Sequence, residues 1–127
     1  MSKSILSELL ELNPPDKRRE VDKKSLEILR LSKLAGKPVV FQLRGLNYDE
    51  VEALRIGSGT DRGVHIVLAG CEELKSGGAA LREKYDVLTN AEAVKALLTP
   101  GEIEDLASII ERLSGFRMRV VAEVKNA

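Results

Sequence analysis

Two side chains in this sequence could act together as a nucleophile and its base: Cys71 and, six residues earlier, His65. An imidazole that takes the thiol proton would make a reactive thiolate. Nothing local activates Cys71. It falls in an apolar stripe with Val64, Val67, Leu68 and Leu74, where a free cysteine most often behaves as a small buried hydrophobe. His65 reads as a surface or capping residue. One His and one Cys make a poor metal set. The loop Gly57-Ser58-Gly59-Thr60-Asp61-Arg62-Gly63 is the nearest approach to a phosphate loop. It lacks the Gly-x-Gly-x-x-Gly spacing, a preceding strand and a Gly-Lys-Ser/Thr ending, and reads as a flexible connection. The basic run Lys17-Arg18-Arg19 is interleaved with Asp16, Glu20 and Asp22, which makes it a solvated segment and not a nucleic-acid patch. No catalytic residue, cofactor-binding residue, cofactor or metal ligand is assigned.

The totals narrow the classes further. The chain has 127 residues, the length of one domain. Its 43% hydrophobic content includes no Trp, two Phe and two Tyr, so the core must be aliphatic. Twenty basic and twenty acidic residues cancel, leaving no overall field to draw in nucleic acid or an anionic membrane. One cysteine excludes an internal disulfide and fits a reducing cytoplasm. No apolar run approaches the roughly 20 residues needed to span a bilayer. Glu8 and Glu11 interrupt the apolar N-terminus, which does not read as a signal peptide.

The element around which the chain is organised is the helix opened by Leu98-Thr99-Pro100-Gly101-Glu102-Ile103. Thr99 can accept from the first turn, and Glu102 can reach back to it, a capping box. Pro100 sits at the first helical position, where its missing N–H costs nothing. Leu98 and Ile103 have hydrophobic-staple spacing. Ile103, Leu106, Ala107, Ile110 and Leu113 share one face, and Gly115 is placed to end the helix in a left-handed conformation. A second helix over 90–98 is opened by Thr89 with Glu92, its Val94, Leu97 and Leu98 inward. The pair suggests a helix-turn-helix. However, Glu102, Glu104 and Asp105 would face the phosphates, which argues against DNA reading.

Residues 4–12 form a short amphipathic helix capped by Ser4, with the stripe Ile5, Leu6, Leu9 and Leu10, and Asn13-Pro14-Pro15 stops it. Residues 13–24 read as a solvated, mobile linker. The arm is too short to be stable alone and needs a surface, its own domain or another chain. Its stripe is the candidate partner-binding set. The run Leu26 to Leu34 fits either a helix or a strand. Val39, Phe41 and Leu43 alternate with Val40, Gln42 and Arg44, a half-buried strand. Residues 26–31 are its nearest partner, across a turn holding Gly36 and Pro38, and a β-hairpin is expected. Asn47 and Glu50 open a helix whose inner face holds Val51 and Leu54, with Tyr48 beside them. Residues 64–74 read as a helix, with Val64–Leu68 open to a strand reading. Gly77-Gly78 ends that segment, and a short helix follows at 79–85. The tail carries Met118, Val120, Val121 and Val124, as a strand or a docking segment. The expected class is α+β, mainly α: a small helical domain over 25–116 with one N-terminal β-hairpin. An arm and linker (1–24) precede it and a tail (117–127) follows.

The ordered landmarks resemble a known family. They are Pro38-Val-Val-Phe41 with Leu43-Arg44, Tyr48-Asp-Glu50, Leu68-Ala-Gly-Cys71, and Leu81 with Lys84-Tyr85. The block Leu97-Leu-Thr-Pro-Gly-Glu-Ile103 and Leu113-Ser-Gly-Phe116 close the set. This is similar to the XkdN-like tail assembly chaperones of PBSX-type phages and prophages, over about residues 25–117. Pro-Gly-Glu, an amphipathic helix and Gly-Phe are its most specific part. Glu72-Glu73 stand where the family usually has a proline, and Asp86 where a glycine often follows the tyrosine. Neither departure touches an active site, because the family has none. The resemblance implies a protein that is not an enzyme. It would bind the tape measure protein in the cytoplasm of the bacterial host and keep it soluble until the tail tube polymerises. It also implies, in many phages, a longer frameshifted isoform. Helix-in-groove packing would allow many copies per tape, and the length of the polar linker would let the arm either pack on its own domain or reach a neighbouring copy, of which self-association is the expected one. The reading from another class is a cytoplasmic adaptor or regulatory subunit acting through one protein–protein interface.

Overall fold

A computed structural model describes residues 4–14, 16, 20–57, 61–116 and 121–124. The described chain runs α1 (Ile5–Glu11), β1 (Lys23–Glu27), α2 (Leu29–Ala35), β2 (Val40–Arg44), α3 (Tyr48–Gly57), α4 (Arg62–Gly70), α5 (Glu72–Ser76), α6 (Gly78–Tyr85), α7 (Asn90–Leu97) and α8 (Pro100–Leu113). It is an α+β fold, mainly α, with one antiparallel strand pair near the N-terminus.

The helix α8 forms as its sequence dictates. The Glu102 N–H donates to Thr99 Oγ1 at 3.2 Å, and the Thr99 N–H donates to Glu102 Oε1 at 2.8 Å. At the other end the Phe116 N–H reaches the Glu111 carbonyl (2.8 Å) and the Gly115 N–H reaches that of Arg112 (3.0 Å), with Gly115 at φ +92°. This is the Schellman ending that a glycine makes without steric cost. Between the caps Ile103, Leu106, Ala107 and Ile110 are buried. They face α4, whose Val64, Ile66 and Val67 complete the centre of the core. Also as expected, α3 opens on a reciprocal box. The Glu50 N–H donates to Asn47 Oδ1 (2.9 Å) and the Asn47 N–H to Glu50 Oε1 (3.1 Å). Thr89 caps α7, accepting from the Glu92 N–H.

The strand pair differs from the expected hairpin in its first strand. β1 covers Lys23–Glu27, and residues 29–35, part of the expected strand 26–31 and its turn, form α2 instead. Leu29-Arg-Leu-Ser-Lys-Leu-Ala35 has no β-branched residue and is rich in good helix formers. Gly36, at φ +72°, closes it in the left-handed conformation. Lys23 and Lys24, read as linker, are thus strand residues, paired with Arg44 and Leu43. Phe41 and Leu43 point into the core and Leu26 lies opposite Phe41, as the alternation requires. Tyr48 is not on the inner face of α3; it is 66% exposed.

The segment 64–74 is helical but broken. Cys71 adopts an extended conformation (φ −115°, ψ 111°) and forms a bridge with Leu43 of β2, so α4 and α5 are separate helices. β2 therefore has neighbours on both sides. Its next free donor, the Gln42 N–H, is taken by the Glu73 carboxylate at 2.6 Å. A covered edge does not recruit another strand.

Candidate partner-binding surface

The residues with nucleophilic chemistry are placed for packing. Cys71 is fully buried at the junction of β2, α4 and α5. Burial pushes its thiol up to about 11, against a smaller opposing pull from the N–H groups of Leu74 and Glu73. At neutral pH it is a thiol and a poor nucleophile. His65 is half-buried on α4. The phosphate-loop candidate lies partly outside the described residues, at 58–60, and so does the basic run 17–19. Asp61, from that loop, pairs with Lys95 at 2.8 Å. Among the described residues, no three His, Cys, Asp or Glu side chains come together in a way that could hold a metal ion. Cys71 in the native protein is expected to resist a thiol-alkylating reagent and to react fully after denaturation. Fast native labelling would show that the thiol is open to solvent.

Two arginines serve the scaffold. Arg44 at the end of β2 donates to both oxygens of Glu50 (Nη1 to Oε1, 2.7 Å) and to Glu72 Oε1 (3.1 Å), tying the strand to α3 and α5. The hydrogen bond from Arg44 holds the Glu50 carboxyl below its ordinary value, outweighing the opposing effect of burial. Arg30 of α2 grips Glu102 with two hydrogen bonds (2.9 and 3.0 Å) and reaches the Leu97 carbonyl (2.7 Å). The carboxylate that caps α8 therefore also anchors α2. This second role could not be read from the capping-box spacing.

What remains is apolar surface without a cover. α1 forms where the sequence puts it, with the Ser7 N–H donating to Ser4 Oγ at 3.1 Å. None of its residues is buried. Ile5, Leu6, Leu9 and Leu10 are 70, 66, 58 and 78% exposed. Elsewhere, a groove of about 500 Å³ lies between the segment leading into β1, the start of α3 and the end of α8. Leu46, Val51 and Leu113 line it, with Tyr48 and Phe116 at the rim. A small hollow shares Leu46, Val51 and Phe116 and continues it towards α4. Sequence reasoning missed this groove. The one local signal was Phe116, placed directly after a left-handed glycine, where a hydrophobe commonly folds back on the helix. The tail expected as a strand or docking segment is described only at 121–124, where it is neither strand nor helix, and Val121 and Val124 are exposed.

Among the described residues no helix is long and apolar enough to cross a membrane. No curated protein shows significant similarity to the chain. In fold the chain is similar to the crystal structure of the protein YqbN, a structural genomics target. The TM-score is 0.59 at 20% sequence identity, covering 76% of this chain and 89% of that one. The chain also matches the family described as phage XkdN-like tail assembly chaperone over residues 6–127, a span that takes in the arm and the tail as well as the helical domain. It thus belongs to the XkdN-like phage tail assembly chaperones.

Proposed function

We propose that the chain binds the tape measure protein in the cytoplasm of the bacterial host, without catalysing a reaction, and keeps it soluble until the tail tube polymerises around it. Membership of the tail assembly chaperone family supports this reading. The observation that carries it within the chain is α1, a helix whose apolar stripe has no cover among the described residues. A tape measure protein is a long helical chain with apolar faces. Small amphipathic elements can cover such faces by helix-in-groove packing, in many copies. On this reading the arm and linker end before β1, whose Lys23 and Lys24 belong to the folded scaffold that runs to residue 116, and 117–127 is a tail. A frameshifted isoform would diverge towards that end.

Co-expression with the tape measure protein tests the proposal. The tape is expected in the pellet when made alone and in the supernatant with this chain. Light scattering of the purified complex should give many copies per tape. A fixed one-to-one complex would favour an adaptor with a single defined interface. A tape that is soluble without this chain would remove the need for a chaperone.

A further inference from the structure

The sheet is open on one side. β2 is covered by the Cys71 bridge and the Glu73 carboxylate, whereas β1 has β2 on one flank and no strand on the other among the described residues. Hydrogen bonds at the two ends of the pair fix which backbone groups face outward. The Gly45 N–H donates to the Asp22 carbonyl (2.8 Å) and the Ile28 N–H to that of Val39 (3.0 Å). Residues 22 and 28 therefore turn their backbone groups to β2, and by alternation so do Lys24 and Leu26. Lys23, Ser25 and Glu27 turn theirs away, and all three are exposed. We propose that this edge pairs with the same edge of a second copy, antiparallel and centred on Ser25, to make one sheet in the order β2–β1–β1–β2.

Charge complementarity favours a second copy as the occupant. Across the centre, Lys23 falls opposite Glu27 of the second copy, and Glu27 opposite its Lys23. These are also the pairs whose N–H and C=O groups face each other, so the backbone match and the charge match coincide. On the other face of the strand, Lys24 falls opposite Leu26 of the second copy. Its methylene stem there covers a leucine that is only half-buried in one copy.

Lysines on an edge strand ordinarily ward off another strand. Here they select a register. A slip by one residue sets outward backbone groups against inward ones. A slip by two residues one way places Lys24 opposite Lys24 of the second copy, and like charges directly opposite are destabilising. A slip by two the other way carries Lys23 past the end of the partner strand, against Leu29 of the partner's α2. The Ser25-centred register keeps all five residues of β1 paired. The contact is isologous and closes as a dimer. A two-stranded ribbon is marginal on its own, and four strands make a sturdier sheet. No residue of α1 takes part, so its stripe stays free for the partner proposed above.

Sedimentation equilibrium of the full chain should show a reversible monomer–dimer equilibrium at submillimolar concentration, as small interfaces do. Ser25→Pro removes an N–H that points away from β2, so the existing ladder keeps its bonds. The dimer should be lost with the circular dichroism unchanged. Lys23→Glu and Glu27→Lys should each weaken the dimer at least tenfold. An equimolar mixture of these two variants should recover it, because every facing charge pair is then opposite in sign. At high concentration the amides of Lys23, Ser25 and Glu27 should gain protection from hydrogen exchange, and that of Leu26, already turned to β2, should not. A chain that is monomeric throughout this range, a Ser25→Pro chain that dimerises like the parent, or a mixture no tighter than its components would overturn the pairing. If Ser25→Pro does not fold, the charge variants and their mixture decide. None of these measurements involves the tape, so they leave the chaperone reading to its own test.

Discussion

Replacing Ile110 with Ala is expected to lower the unfolding free energy by about 2–5 kcal/mol, the range for a buried large-to-small change. The upper half of that range is expected because the site cannot collapse. Ile110 is fully buried on α8. A Cβ built on Gly70 of α4 would stand 2.7 and 2.8 Å from Ile110 Cγ2 and Cδ1, and 2.9 Å from the Arg44 carbonyl oxygen. The isoleucine therefore rests on bare backbone at the crossing of two helices, beside the end of β2. Backbone held on several sides does not move in to fill a cavity, so most of the lost contact stays lost. Urea denaturation followed by far-ultraviolet circular dichroism would measure the change. An unaltered midpoint would mean that residue 110 is not in the core and that the inward face of α8 is misassigned.

How much of this molecule can be read from the sequence depends on where each decision is made. The ends of α8 are set by side chains three to five residues apart: Thr99 with Glu102, and Gly115 with Phe116. Both ends form as the spacing predicts. The same holds for Ser4 in α1 and for Asn47 with Glu50 in α3. The alternation in β2 is equally legible, because Phe41 and Leu43 must turn the same way to reach the core. Its partner is not. Lys23-Lys24-Ser25 carries no apolar signal, and what makes it a strand is the free edge of β2 together with the closing of Leu29–Ala35 into a helix. The break at Cys71 is also decided far away in sequence, by the bridge to Leu43. The arm stripe was legible as an apolar face of a short helix. The groove was not, because it exists only where the segments around Val21, Leu46 and Leu113 meet.

That meeting point is where the last substitution is expected to act. Gly45→Val should destabilise the protein at the upper end of the roughly 1–3 kcal/mol typical of overpacking. A Cβ at Gly45 would lie 2.6 Å from the Leu113 carbonyl oxygen, 2.8 Å from its carbon and 3.1 Å from the Ser114 nitrogen. These are backbone atoms of the end of α8, and no side-chain rotation relieves the contact. The exit of β2 and the end of α8 would have to part. Two hydrogen bonds would be strained with them: Leu46 N–H to Ser114 Oγ (2.7 Å) and Gly45 N–H to the Asp22 carbonyl (2.8 Å). Gly101→Ala is the control. Nothing lies within 4 Å of its added Cβ, and it sits in the first turn of α8, so it should be neutral or gain about 0.4–1 kcal/mol. Denaturation of both variants decides. A Gly45→Val protein as stable as the parent would mean that α8 and β2 are not in backbone contact. The groove wall is built on this same contact, since Leu46 and Leu113 flank it. Ile110→Ala removes core on the α4 side of α8, away from the groove lining, and should lower stability while the groove wall stays in place.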